Sequence, residues 1–198
     1  MPRAGDQRAR GGCTVSRTVH TGDGGSSHSA PPRRAPVLFL DVDGVLLPPA
    51  SDRRMEKARE SLDQLHRVVE TTGCEIVLSS MWRLILGAGG VGVVDHNRAE
   101  QLMRKRFGYD GPSFIGATPD LKGEPRGLEI AAWLASQAEA PPCWAVVDDD
   151  PDMPFVRHRF VQTNPRIGLD EVAADRLIEL LTDEHAGLLE SSSGGEGS

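Results

Sequence analysis

The chain has 198 residues, 38% of them apolar and 26% charged, with a formal net charge of −7, which excludes a collagen, a membrane-embedded protein and a wholly disordered chain. The charge is unevenly spread: residues 1–36 hold six Arg against two Asp, residues 37–182 hold sixteen Lys/Arg against twenty-three Asp/Glu, and residues 183–198 hold four acids and no base. The first stretch has six Gly, four Pro and four Ser and no apolar periodicity, so it cannot offset the entropy of ordering and is expected to be a flexible basic extension. The end, closing SSSGGEGS, is expected to be a flexible acidic tail, and the 146 residues between them suffice for one compact core.

In chain order, Val37-Leu-Phe-Leu40 is an unbroken apolar run ended by Asp-Val-Asp-Gly, the pattern of a short parallel strand buried on both faces. From Arg54 to Thr72 apolar residues recur every three or four positions (Met55, Ala58, Leu62, Leu65, Val68, Val69), which predicts an amphipathic helix that Gly73 ends. A second apolar strand is expected over Glu75–Ser79. The glycine-rich stretch from Trp82 to Val94 carries no clear pattern. A helix follows over Asn97–Phe107, then a short strand over Ser113–Gly116, a helix over Arg126–Ala138 and a strand over Cys143–Val147 leading into Asp148-Asp149-Asp150. Arg159–Thr163 is expected as the last strand, and a helix opens at Leu169 or Asp170. Alternating strands and helices predict a parallel α/β sheet with right-handed crossovers, whose chemistry gathers beyond the carboxyl ends of the strands.

At those ends stand Asp41 and Asp43, Ser79 and the run Asp148–Asp150. Such an oxygen-rich set suits a hard cation such as Mg²⁺. A calcium loop is excluded because the sixth and twelfth positions counted from Asp41 are Leu46 and Asp52 in place of Gly and Glu. The pattern points to phosphoryl transfer through a carboxylate adduct: Asp41 attacks phosphorus, Asp43 protonates the leaving oxygen and then activates water, and Ser79 donates to a phosphate oxygen. A basic residue and a cation would offset the repulsion between two anions.

These residues resemble the motifs of the haloacid dehalogenase (HAD) superfamily. Val37-Leu-Phe-Leu-Asp-Val-Asp-Gly-Val-Leu46 matches its first motif, Ile76-Val-Leu-Ser79 its second and Ala145-Val-Val-Asp-Asp149 its fourth; Arg126, with Lys122 as the alternative, fits the basic third motif. Ser79-Ser-Met-Trp-Arg83, Arg126-Gly-Leu-Glu-Ile-Ala-Ala-Trp-Leu134, Val161-Gln-Thr163 and Gly168-Leu169 further resemble the small HAD branch of Swiss Army Knife RNA-repair proteins. The resemblance implies a Rossmann-like, three-layer fold with a central parallel sheet. It also implies Mg²⁺ on the Asp41 carboxylate, the Asp43 carbonyl and one acid of the fourth strand, Asp149 first and Asp148 otherwise. Asp rather than Thr at position 43 favours a phosphatase over a pump. Only 38 positions separate Asp41 from Ser79, so a large cap domain has no room there. The resulting open site would admit a phosphomonoester on an RNA or DNA end or on a nucleotide.

Lesser features complete the reading. Trp82 and Arg83 are candidate substrate contacts, and Trp133 and Trp144 are expected in the core. Arg157-His-Arg159 is expected as exposed loop charge. Gly87-Ala-Gly-Gly-Val-Gly92 lacks the strand–turn–helix context of a dinucleotide fingerprint. Three unpaired cysteines fit a reducing cytoplasm, and no apolar run approaches the roughly 18 residues of a membrane span. No obligate protein partner is inferred. The alternatives are a small-metabolite phosphatase and a non-catalytic HAD-like module that binds a phosphorylated partner.

Overall fold

The computed structural model describes residues 34–49, 53–85 and 95–183. The expected extension and tail, apart from Arg34–Pro36 and Asp183, lie outside the described residues, as does the Gly87–Gly92 stretch. Five strands form one sheet: β1 (Val37–Leu40), β2 (Glu75–Leu78), β3 (Phe114–Ala117), β4 (Trp144–Asp148) and β5 (Phe160–Gln162). Their order is β3-β2-β1-β4-β5 and every pairing is parallel. The helices are α1 (Arg54–Thr72), α2 (Trp82–Ile85), α3 (His96–Phe107), α4 (Arg126–Ser136) and α5 (Glu171–Thr182).

Strand alternation divides the core between two faces. Leu38, Leu40, Ile76, Leu78, Ala145 and Val147 pack with Ala58, Leu65 and Val68 of α1, Ala99 and Met103 of α3 and Leu177 of α5. Val37, Phe39, Val77 and Val146 face the other way, onto Ile130 of α4, with Trp133 and Trp144 set edge-on against Phe39 at 5.2 and 6.2 Å between ring centroids. The result is three layers, α/β/α. The chain steps outward from β1 through β2 to β3 on one face, then returns through α4 on the other to β4, so the direction reverses between β1 and β4. A crevice opens at such a switch point beyond the strand ends.

The helix ends show ordinary capping chemistry. Gly73 and Gly108 close α1 and α3 in the left-handed conformation, and Asp95 and Asp170 cap α3 and α5 through side-chain bonds to the N–H groups of Arg98 and Ala173. One expectation needs correction, and one unassigned stretch gains an element. The stretch Arg157–Arg159 is a 3-10 turn leading into β5, and Arg159 is buried, donating to the Leu180 carbonyl at 2.8 Å with its guanidinium over Trp144. The segment after Ser79 contains the single-turn helix α2, too short to show periodicity.

Candidate active site

The pairing of Leu40 with Leu78 and with Val147 sets the site. One residue further along, Asp41, Ser79 and Asp148 stand side by side at the ends of three neighbouring strands. Alternation turns all three toward the α4 face. There Arg126, the first residue of α4, places Nη1 at 2.8 Å from Asp41 Oδ1 and 3.1 Å from Asp148 Oδ2, and donates to the Ser79 carbonyl. The reach depends on Gly127, because a Cβ there would overlap the Pro154 carbonyl that α4 packs against. Lys122, the alternative basic residue, is exposed in the turn before α4, so Arg126 is the cation that meets the acids.

Asp43 lies on the turn that follows β1. That turn is closed by N–H groups of Leu46 and Leu47 on the Val42 carbonyl and by Gly44 N–H on the Leu47 carbonyl. Gly44 has φ +76°, and a Cβ there would overlap the Asp149 carboxylate. Glycine is required twice over, for the left-handed turn and for the approach of Asp149. Asp43 is exposed and accepts from Trp82 Nε1 at 2.7 Å.

Electrostatics follow burial. Removal from water pushes the Asp41 carboxyl above its ordinary pKa, against the pull of Arg126. Burial, with the Asp41 charge beside it, raises Asp148 to about 7. Asp149 is also raised, chiefly by burial. Burial opposes the charged form of Arg126, yet Asp148 and Asp41 together hold its pKa above the ordinary value.

Asp41, Asp148 and Asp149 each offer a carboxylate oxygen within 4.8 Å of the others. Asp148 Oδ2 is buried with no hydrogen bond beyond its ion pair, so acceptor capacity is left over inside a dense group of anions. An all-oxygen, carboxylate-rich set of this kind fits a hard divalent cation such as Mg²⁺. A cavity of about 340 Å³ opens onto these groups, lined by Asp41, Asp43, Ser80, Arg126, Asp149 and Arg54 among others.

Ser80 is a site residue that the sequence reading missed. Its hydroxyl bonds Asp41 and it lines the cavity, whereas the Ser79 hydroxyl is buried without a hydrogen-bond partner among the described residues. The Ser-Ser doublet was the only signal available. The expected substrate contacts at Trp82 and Arg83 are corrected. Trp82 is 9% exposed and engaged with Asp43, so it orients an acid and offers no open face. Arg83 is 2% exposed, bonded at 2.5 Å to Glu129 and at 2.7 Å to the Ser80 carbonyl. It ties α2 to α4 and does not face the cavity.

A doubly covered parallel sheet with an aspartate cluster at its switch point defines a HAD-type domain of the phosphatase-like hydrolase class. The profile of the family described as "HAD domain in Swiss Army Knife RNA repair proteins" matches residues 37–174, and the chain belongs to that family. No curated protein and no solved structure gives a significant match. Among the described residues no helix is long and apolar enough to cross a membrane.

Proposed function

We propose that the protein is a Mg²⁺-dependent phosphomonoester hydrolase of the cytoplasm, acting on nucleic-acid ends or nucleotides. The observation that carries this reading is the convergence of Asp41, Asp148 and Asp149 within 4.8 Å, with Asp43 held beside them by Trp82. Asp41 is the nucleophile. Its carboxylate oxygen bonds to phosphorus as the ester P–O bond breaks, and Asp43 gives its proton to the departing oxygen. Asp43 then takes a proton from water, whose oxygen attacks the aspartyl phosphate and frees Asp41 and inorganic phosphate. Ser80, already on the cavity wall, supplies the phosphate contact first assigned to Ser79, and Arg126 balances charge among the acids. Asp41, Asp149 and Asp148 would hold the cation, which supplies charge neutralisation between carboxylate and phosphate.

The test is phosphate release with and without Mg²⁺ from phosphorylated RNA oligonucleotides, a mononucleotide and an aryl phosphate, for wild type beside Asp41→Asn. Turnover that needs both the metal and Asp41 supports the reading. Binding of phosphorylated ligands by the wild type without any turnover would assign the domain to recognition instead.

A further inference from the structure

Beside the catalytic cavity lies a second one of about 520 Å³, within the roughly 300–1,000 Å³ of small-molecule sites. The two share Leu47. At the start of α1, Arg54 lines the catalytic side and the next residue, Met55, lines the other, so the second cavity begins where the first ends. Its walls include Leu46, Met55, Leu62 and Met103, with Arg59 and Asp63 one helical turn apart on α1 and Asp110 just beyond the end of α3. Arg59 and Asp63 are exposed, and neither makes an ion pair or hydrogen bond among the described residues. The opposite flank is different. A hollow of about 310 Å³ shares Met81 and Arg126 with the catalytic cavity and carries Asp120, Glu124, Asp150 and Asp152. With Glu129 its acids number five against Arg83 and Arg126, whereas the cavity beyond Leu47 sets Arg59 against Asp63 and Asp110, so the side beyond Leu47 repels a phosphate-bearing substrate less.

From this arrangement we infer that the cavity beyond Leu47 is the leaving-group pocket and takes a nucleoside, that of a free nucleotide or of the terminal nucleotide of a strand. The inference rests on the phosphatase reading above. A nucleobase presents two apolar faces and an edge that mixes donors with acceptors. Leu and Met side chains meet the faces, while Arg59 offers only donors and Asp63 only acceptors, which together match such an edge. A plain aryl or alkyl leaving group would use neither charge.

The test compares adenosine monophosphate, a trinucleotide with a terminal phosphate, and acetyl phosphate, whose leaving group is too small to pass Leu47. Leu62→Trp, which fills the pocket, raises KM for the mononucleotide about tenfold or more, and Arg59→Ala raises it several-fold; both leave acetyl phosphate turnover unchanged. Leu62 is partly packed into the core, so the exposed Arg59→Ala keeps the test decisive if Leu62→Trp does not fold. Preference for adenosine monophosphate identifies free nucleotides as the source, preference for the trinucleotide identifies strand ends, and equal efficiency shows that the terminal nucleoside alone is read; each supports the pocket. Unchanged KM for both, or parallel losses on acetyl phosphate, overturns it. If the wild type turns over none of the three, the phosphatase reading fails. The pocket is then judged by calorimetric titration of adenosine monophosphate: binding that Leu62→Trp or Arg59→Ala weakens keeps it, and no binding to wild type, or binding that neither substitution weakens, overturns it.

Discussion

The indole Nε1 of Trp82 sits 2.7 Å from Asp43 Oδ2, joining the single-turn helix after β2 to the acid on the turn after β1. A hydrogen bond is worth about 0.5–1.5 kcal/mol net, and here it fixes the carboxyl to which the proposed mechanism gives the leaving-group proton. Trp82→Phe keeps the ring and removes the donor, so kcat on alkyl phosphates is expected to fall about tenfold. The fall on p-nitrophenyl phosphate, which needs little protonation, should be smaller. Equal losses on both substrates would reduce Trp82 to a packing residue.

Asp148 makes the metal-free protein pH-sensitive. Its carboxyl is raised from 3.8 to about 7 by burial and by Asp41, so between those values the native chain binds more protons than the unfolded chain. Its contribution to stability is therefore complete below about 4 and is lost as pH climbs through 7. Metal binds the deprotonated form and reverses the trend. Thermal melts should show Mg²⁺ raising Tm more at pH 8 than at pH 5.5, and Asp148→Asn should flatten the metal-free slope.

Gly44→Ala is expected to cost about 1–2 kcal/mol for the left-handed backbone alone. The added methyl also overlaps the Asp149 carboxylate, so the metal-dependent rise in Tm should shrink beyond what the loss of basal stability explains. Retention of the full metal-dependent shift would remove Asp149 from the cation site.

The Arg83–Glu129 pair is 2% and 8% exposed at its side chains. Burial pushes the Arg83 guanidinium below its ordinary pKa, offset by Glu129, while Glu129 also accepts the Leu121 N–H at 3.1 Å. Arg83→Met strands a buried carboxylate, and urea unfolding should show a loss of about 3–5 kcal/mol. Adding Glu129→Gln removes the stranded charge and keeps an acceptor for Leu121, so the double variant should recover much of that loss. An additive double variant would show that the two residues are not coupled.

Much of the architecture was legible because it rests on local rules. Val37–Leu40 and Glu75–Leu78 read as strands since parallel strands buried on both faces are apolar at every step, and α1 showed both its period and its closing glycine. The acids were legible for a related reason: they interrupt apolar runs at the ends of strands. What escaped depends on distance in space. Nothing near Arg83 signals Glu129, 46 residues on, and nothing near Arg159 signals the Leu180 carbonyl that buries it. The choice between Ser79 and Ser80 turns on how the chain bends after its last paired residue, Leu78, a geometry that residue types do not encode.

Arg126 gives the aspartate cluster a counter-charge of its own. With one guanidinium nitrogen against both Asp41 and Asp148, the metal-free cluster already has part of its charge offset, so a cation would add to a counter-charge in place and would not have to build the site. A protein of this design can fold and persist where Mg²⁺ is scarce. On the proposed mechanism the ion would govern whether the assembled groups work, leaving the existence of the fold to the sheet and its helices.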